Sequence, residues 1–208
     1  MIKQSKCKIC RRLGEKLFLK GDRCFSAKCS MIKRPYAPGQ KPKKRKAGLS
    51  EYGRELREKQ RIKKWYNLTE QEFKAYVTNL LEKKSSDVAS AFAGQIETRL
   101  DNIIFRLGLA KSRAEARQMV THGHFNVNGR RTDIPSRILK IGDKIAIRHG
   151  SKEKATFKNI EEKIKKAQIP TWLSLDKKTL EAEVKKYPTI EDIQLPGELS
   201  SVFEHYSR

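Results

Sequence analysis

The 208-residue sequence is short of acid, of aromatic residues and of long apolar runs. Twenty-four Asp and Glu stand against 47 Lys and Arg, so a formal charge of +23 has no internal balance and calls for a polyanionic partner. Aromatic residues make up 8% of the chain and hydrophobic residues 37%, with a mean hydropathy of -0.73. Such a chain can build a modest core in two small domains, and a large enzyme is excluded. No run approaches the roughly 18 apolar residues of a membrane span, and no signal-peptide pattern precedes Cys7. A soluble cytoplasmic protein with no membrane contact is expected. There is no internal repeat, no H-E-x-x-H and no phosphate-loop pattern, so the common routes to hydrolytic catalysis have no footing.

Cysteine is scarce too, and its placement is informative. All four lie within the first 29 residues, as Cys7-x2-Cys10, thirteen residues, then Cys24-x4-Cys29. In a cytoplasmic chain that argues against a disulfide scaffold and for a local tetrahedral zinc site held by Cys7, Cys10, Cys24 and Cys29. Four thiolates on Zn²⁺ leave a net charge of −2, which Lys8, Arg11, Arg12 and Lys28 can offset. With every ligand position filled by protein, the metal would be structural. An iron–sulfur cluster is the chemical rival.

The positive charge sits in two places. Residues 1–50 carry +14 and residues 98–150 carry +7, while 51–97 and 151–208 carry +1 each. Residues 31–47 form a linker rich in Pro, Gly and Lys, with Lys43, Lys44, Arg45 and Lys46 in one run, expected to run extended and to order on its partner. From Ser50 to Tyr66 a charged helix puts Arg54, Arg57, Arg61 and Lys64 on one stripe, facing phosphates, with Glu55 and Lys59 a candidate solvated pair. Thr69 and Glu72 form a capping box before an amphipathic helix through Phe73, Tyr76, Val77, Leu80 and Leu81. Val88, Phe92 and Ile96 continue the helical pattern.

Residues 98–149 are the most ordered reading in the chain. Leu100, Ile103, Ile104 and Leu107 fall on one helical face, with Arg99, Asn102 and Arg106 opposite. Ser112 and Glu115 give a second capping box, and Arg113 and Arg117 share a face one turn apart. With Lys111 before them, they are the expected phosphate contacts, because the same helix start points its amides outward. His122 and His124 read as hydrogen-bonding groups in a tight turn. Phe125 and Val127 alternate into a strand that turns at Asn128-Gly129, and Ile145 and Ile147 alternate in another. Beyond Gly150, Phe157, Ile160, Ile164 and Ala167 suggest a short helix, Trp172 to Leu175 looks strand-like, and 176–188 fits strand or helix.

The Arg99-Leu-Asp, Ser112-Arg-Ala-Glu-Ala-Arg117, His122-Gly-His124 and Val127-Asn-Gly129 elements closely resemble the S-four RNA-binding domain. Read with Cys7-Lys-Ile-Cys-Arg-Arg12, Pro35-Tyr-Ala-Pro-Gly39, Ser50 to Gln60 and the closing Tyr206-Ser-Arg208, the whole chain resembles the family of bacterial small-subunit ribosomal protein four, in its cysteine-containing form. That resemblance implies a primary binder of 16S rRNA at a junction of the 5′ domain, acting early in assembly and influencing decoding accuracy. It also implies contact with neighbouring small-subunit proteins, notably the fifth, and a place where mRNA enters the subunit.

The expected fold class is α+β: a mainly helical domain with an N-terminal four-cysteine metal knuckle, plus an inserted RNA-binding domain of two short helices and a small β-sheet. Its domains are the zinc knuckle and basic linker at 1–46, a helical domain at 47–97, the S-four RNA-binding domain at 98–160, and a segment at 161–208 packing back on the helical domain. The alternatives are an RNA-binding regulator or a fragment of an RNA-modifying or aminoacylating enzyme carrying the same domain. The second needs a catalytic domain for which 1–97 and 151–208 are too short and too charged.

Overall fold

Ser50, Thr69, Asp87 and Ser112 each stand one residue before a helix, and each side chain accepts a hydrogen bond from a first-turn amide. These caps fix where four helices of this protein begin. The computed structural model describes residues 5–39, 48–83, 87–154, 157, 160, 164, 167–176 and 179–207. They fall into two compact units, residues 1–86 with 195–208, and residues 87–194, so the second is inserted in the chain of the first.

The first unit begins with α1 (Lys6–Leu13), α2 (Asp22–Phe25) and α3 (Ser30–Lys33), followed by α4 (Glu51–Trp65) and α5 (Glu70–Glu82). Cys10, Leu13 and Leu17 make a small apolar cluster with Ile9, Leu19, Met31 and Trp65 against it. Arg11 ties the segment together, its Nε donating to the Arg34 and Tyr36 carbonyls at 3.1 and 2.9 Å. The Thr69–Glu72 capping box forms as expected, and Phe73, Val77 and Leu80 are the buried face of α5.

The charged helix α4 differs from its sequence reading. Glu55, Lys59 and Lys63 are buried, and Lys59 pairs with Glu70 of α5 at 2.9 Å instead of with Glu55 one turn away. Lys63 pairs with the same carboxylate. The chain ends in a further helix of this unit, Leu199–Ser207, called α10 below, and its His205 lies 3.6 Å from Glu55. The reason is tertiary: α10 packs on α4 and α5 and buries Leu199 and Val202. Burial forces each charge to find a partner on another helix. The Tyr206 hydroxyl donates to Glu70 at 3.0 Å, and the Glu198 amide donates to Glu58 at 3.2 Å.

The second unit holds α6 (Val88–Glu97), α7 (Leu100–Arg106), α8 (Arg113–Thr121), β1 (Phe125–Val127), β2 (Arg130–Thr132), β3 (Lys144–Ile147), α9 (His149–Lys152), β4 (Leu173–Asp176) and β5 (Glu181–Val184). The strands form one antiparallel sheet in the order β2-β1-β3-β5-β4. Asn128 and Gly129 turn the β1–β2 hairpin with φ of 50° and 77°, the left-handed pair that a type I′ turn requires. Asn128 also holds β3, donating to Asp143 at 2.7 Å and accepting from the Lys144 amide at 2.8 Å.

The segment read as packing back on the helical domain divides. β4 and β5 join the inserted unit, with Ile145 opposite Ala182 and Leu173 opposite Val184, and only the residues from 195 onward return to the first unit. The alternation of Ala182 and Val184 suits a strand half-buried on one face, and pairing it satisfies the open edge of β3. Residues 88–97, read with the helical domain, likewise belong to the inserted unit. Its core gathers Leu100, Ile103, Ile104 and Leu107 of α7 with Phe125, Ile145, Trp172 and Val184 of the sheet, and takes in Phe157, Ile160 and Ile164.

Candidate nucleic-acid interface

The start of α7 is a buried polar site. Glu97, fully buried, accepts from Asn102 Nδ2 at 2.6 Å and from Arg106 Nε and Nη2 at 2.8 and 2.6 Å. Asn102 Oδ1 in turn accepts from Arg113 Nε at 2.8 Å, and the Arg113 guanidinium lies 4.5 Å from the Phe105 ring centroid. Arg99 is 1% exposed and grips Asp101 with two hydrogen bonds at 3.0 and 2.9 Å. Arg99 and Asn102, read as facing away from the core, are therefore inside it. A seven-residue helix packed by α6 and α8, its start paired with residues 135–139, leaves them no solvated face, and buried charge is tolerated because each group has partners.

This rearranges the expected phosphate contacts. Arg113 is 8% exposed and ties α8 to α7, so it does not point outward. Lys111 is exposed and its amide donates to the Glu115 carboxylate at 2.7 Å, one residue earlier than a capping box would place it. Arg117 keeps a third of its side chain in solvent while reaching toward Asp101 at 3.7 Å. On α4, Arg54 and Arg57 are both exposed, Arg57 also donating to the Leu13 carbonyl, while Arg61 is half-buried and pairs with Glu15 and Glu58 at 2.6 and 2.8 Å. Lys64 is half-buried, and burial together with the neighbouring Lys63 lowers its pKa. Lys43, Lys44, Arg45 and Lys46 lie outside the described residues.

Other cations take the outer positions. Arg130 and Arg131 are exposed on edge strand β2, and Lys140, Lys144, Arg148, Lys152 and Lys154 are exposed around β3 and α9. Their signal was available as the surplus charge of 98–150, though a strand presents cations without the helical spacing that singled out Arg113 and Arg117. Gly123 has φ of 67°, so the His-Gly-His turn favours glycine for its backbone, while the nearby Arg131 guanidinium is the far end of a flexible side chain that can move aside. His124 is buried, with Nδ1 3.0 Å from Ser151 Oγ and its ring edge-on to Phe157. Burial, then the charge of Lys154, lowers its pKa. That is the hydrogen-bonding role expected of it.

In the first unit the four cysteines wall one cavity of about 20 Å³. Cys10, Cys24 and Cys29 are buried, Cys7 is half-buried, and none forms a disulfide. Burial pushes the Cys10 thiol up, with the sulfurs of Cys24, Cys7 and Cys29 adding to it. The Lys20 amide donates to Cys24 Sγ at 3.4 Å. Among the described residues, however, no group of three or more His, Cys, Asp or Glu is arranged to hold a metal ion. The expected metal knuckle is thus a shared cavity with the right donor chemistry, short of coordination geometry.

Residues 1–93 match the family described as Ribosomal protein S4/S9 N-terminal domain, and residues 98–145 match the S4 domain. Small ribosomal subunit protein uS4A of Alkaliphilus metalliredigens (strain QYMF) is 46% identical over 202 residues, covering 97% of this chain and 96% of its own. Small ribosomal subunit protein uS4 of Ruminiclostridium cellulolyticum gives the same identity and coverage, 46%, 97% and 96%. The uS4 protein of Thermus thermophilus is 44% identical over 205 residues, again 97% of this chain and 96% of its own. Among the described residues no helix is long and apolar enough to cross a membrane.

Proposed function

This chain belongs to the family of small ribosomal subunit proteins uS4, and from that premise we propose the contacts through which it works. It is a structural constituent of the small ribosomal subunit in the cytoplasm, and not an enzyme. The observation that carries this is the match over nearly the full length of both chains to a small ribosomal subunit protein. The regulator and enzyme-fragment readings are not favoured on the same ground.

The proposed partner is 16S rRNA, bound at a junction of its 5′ domain early in assembly. Double-helical RNA offers phosphates and 2′-hydroxyls more readily than base edges, and guanidinium and ammonium groups on several faces can hold separate arms of a folded junction together. Arg54, Arg57 and Lys111 are exposed and Arg117 partly so, and Arg130 and Arg131 join them. Neighbouring small-subunit proteins, notably the fifth, a position where mRNA enters and an effect on decoding accuracy complete the reading; they rest on family membership.

The same reading includes zinc held by Cys7, Cys10, Cys24 and Cys29. Four thiols lining one small cavity supply the donor chemistry that ion takes, and the knuckle's own apolar cluster is small for a segment that folds unaided. Bound zinc would supply a cross-link with no open position for water. Elemental analysis of protein purified without added metal tests this. About one zinc per chain, with loss of helical signal on chelation, is expected; visible charge-transfer absorption with iron would point to a cluster instead, and metal-free folded protein would end the proposal.

The decisive experiment for the RNA reading is binding of the purified chain to 16S rRNA and to an equal mass of tRNA across a salt series. Charge-driven binding fades steeply with salt, while a shaped interface keeps its preference. A large rRNA preference at high salt is expected. Equal binding that fades together would overturn the proposed site.

A further inference from the structure

Phe18 and Phe25 form a stacked pair on the surface of the cysteine segment, with ring centroids 4.9 Å apart and planes 28° apart. Phe25 is 75% exposed and Phe18 42%. Neither ring belongs to the apolar cluster of this segment, which is built from Cys10, Leu13 and Leu17. Phe18 also holds a φ of 52°, a left-handed backbone that a bulky L side chain rarely adopts. The strain is kept at a residue whose ring is presented to solvent, which is where strain marks use more often than packing.

Arg23 and Ser26, which flank Phe25 in the chain, line a strongly basic concavity of this unit. An open groove of about 750 Å³ is lined by Arg11, Arg23, Lys28, Lys33 and Arg34, with Asp22 the one carboxylate among its lining residues. Arg23 precedes Phe25 by two residues in α2, and Lys28 follows it by three. A stacked aromatic ring beside a cationic groove matches one chemistry well. Single-stranded nucleic acid needs cations for its phosphates and a flat π face for each unstacked base. Duplex RNA keeps its bases stacked on each other and would leave the exposed Phe25 ring without a base to cover it.

We propose that Phe25, backed by Phe18, stacks an unpaired RNA base whose flanking phosphates lie in the groove of Arg11, Arg23, Lys28, Lys33 and Arg34. This deepens the RNA-binding reading above and rests on it. It adds a contact to a base where the rest of the surface offers contacts to backbone. It also makes the cysteine segment a reader of single strand at the edge of a junction.

The test uses the full chain and two labelled RNA octamers of equal charge, one of riboadenylate and one with the same ribose–phosphate backbone but no bases. The wild-type protein should bind the base-bearing octamer about tenfold more tightly. Phe25→Ala should bind both octamers alike, at the affinity of wild type for the abasic one, and Phe25→Trp should keep the preference. Equal binding of the two octamers by wild type, or an undiminished preference in Phe25→Ala, overturns the proposal. Binding of 16S rRNA against tRNA is measured on the same preparations. If that preference stands while the octamers bind alike, only the stacking inference falls; if it is absent, the uS4 RNA-binding reading falls with it.

Discussion

Replacing Arg113 by Ala separates a buried strut from a phosphate contact. In the structure Arg113 is 8% exposed, with Nε 2.8 Å from Asn102 Oδ1 and its guanidinium over Phe105. Loss of a hydrogen bond made by a charged group costs about 1.5–3 kcal/mol, and loss of a partly desolvated cation–π contact about 1 kcal/mol. Because burying the guanidinium already carries a desolvation cost, the expected net loss is about 3 kcal/mol. The unit of residues 87–194 contains Trp172, and the other unit contains Trp65, so Trp172 fluorescence in a Trp65→Phe background reports the right unit. With a urea slope of about 2 kcal/mol per molar, the midpoint should fall by about 1.5 M. Arg117→Ala, one turn on and partly solvated, should cost less than about 1 kcal/mol. An unchanged midpoint for Arg113→Ala, combined with weaker rRNA binding and a shallower salt slope, would refute this reasoning and restore Arg113 to the RNA face.

Further outcomes follow from the other polar joints. At Glu70 burial alone would raise the carboxyl, but hydrogen bonds from Lys63 and Lys59, and from the Tyr206 hydroxyl, lower it to about 2. A folded value below the unfolded one, about 4.3, means stabilisation that is full above that range and lost as pH falls toward 2. Glu70→Gln should flatten the acid limb of a circular-dichroism pH titration by less than about 1 kcal/mol, because the side chain is 47% exposed and screened by water; an acid limb identical to wild type would count against the docking role of Glu70. Asn128→Ala should cost about 1–2 kcal/mol in the same Trp172 assay, through lost bonds to Asp143 and Lys144 and a disfavoured turn, and a change under about 0.3 kcal/mol would show that the hairpin does not depend on it. His124→Gln should remove a loss of stability otherwise seen as pH falls below the ordinary imidazole range, since burial keeps His124 neutral in the folded state; the same pH profile in both proteins would contradict this.

Much of this fold is written in local residue patterns. Thr69 with Glu72, Ser112, and Asn128 with Gly129 place two helix starts and a hairpin because their side chains or backbones satisfy neighbours a few residues away. The apolar spacing of Leu100, Ile103, Ile104 and Leu107 identifies a core face by the geometry of the helix alone. The cysteine spacing likewise brings four sulfurs to one cavity. What periodicity cannot supply is the far side of each element. Arg99, Asn102 and Arg113 look solvent-facing on a helical wheel, yet α7 and α8 pack together and Ile138 pairs with Arg99, and their hydrogen bonds run to residues up to eleven positions away. Lys59 reads as a surface charge paired with Glu55 until α5 and α10 arrive with Glu70 and Tyr206. The alternation at Ala182 and Val184 became a strand only because β3 had an open edge to pair. Near neighbours and composition in the chain were enough to set the family, the basic character and the helix starts at Thr69 and Ser112. Only the tertiary structure decided which cations face water, because burial is a property of what packs against a residue and not of the residue.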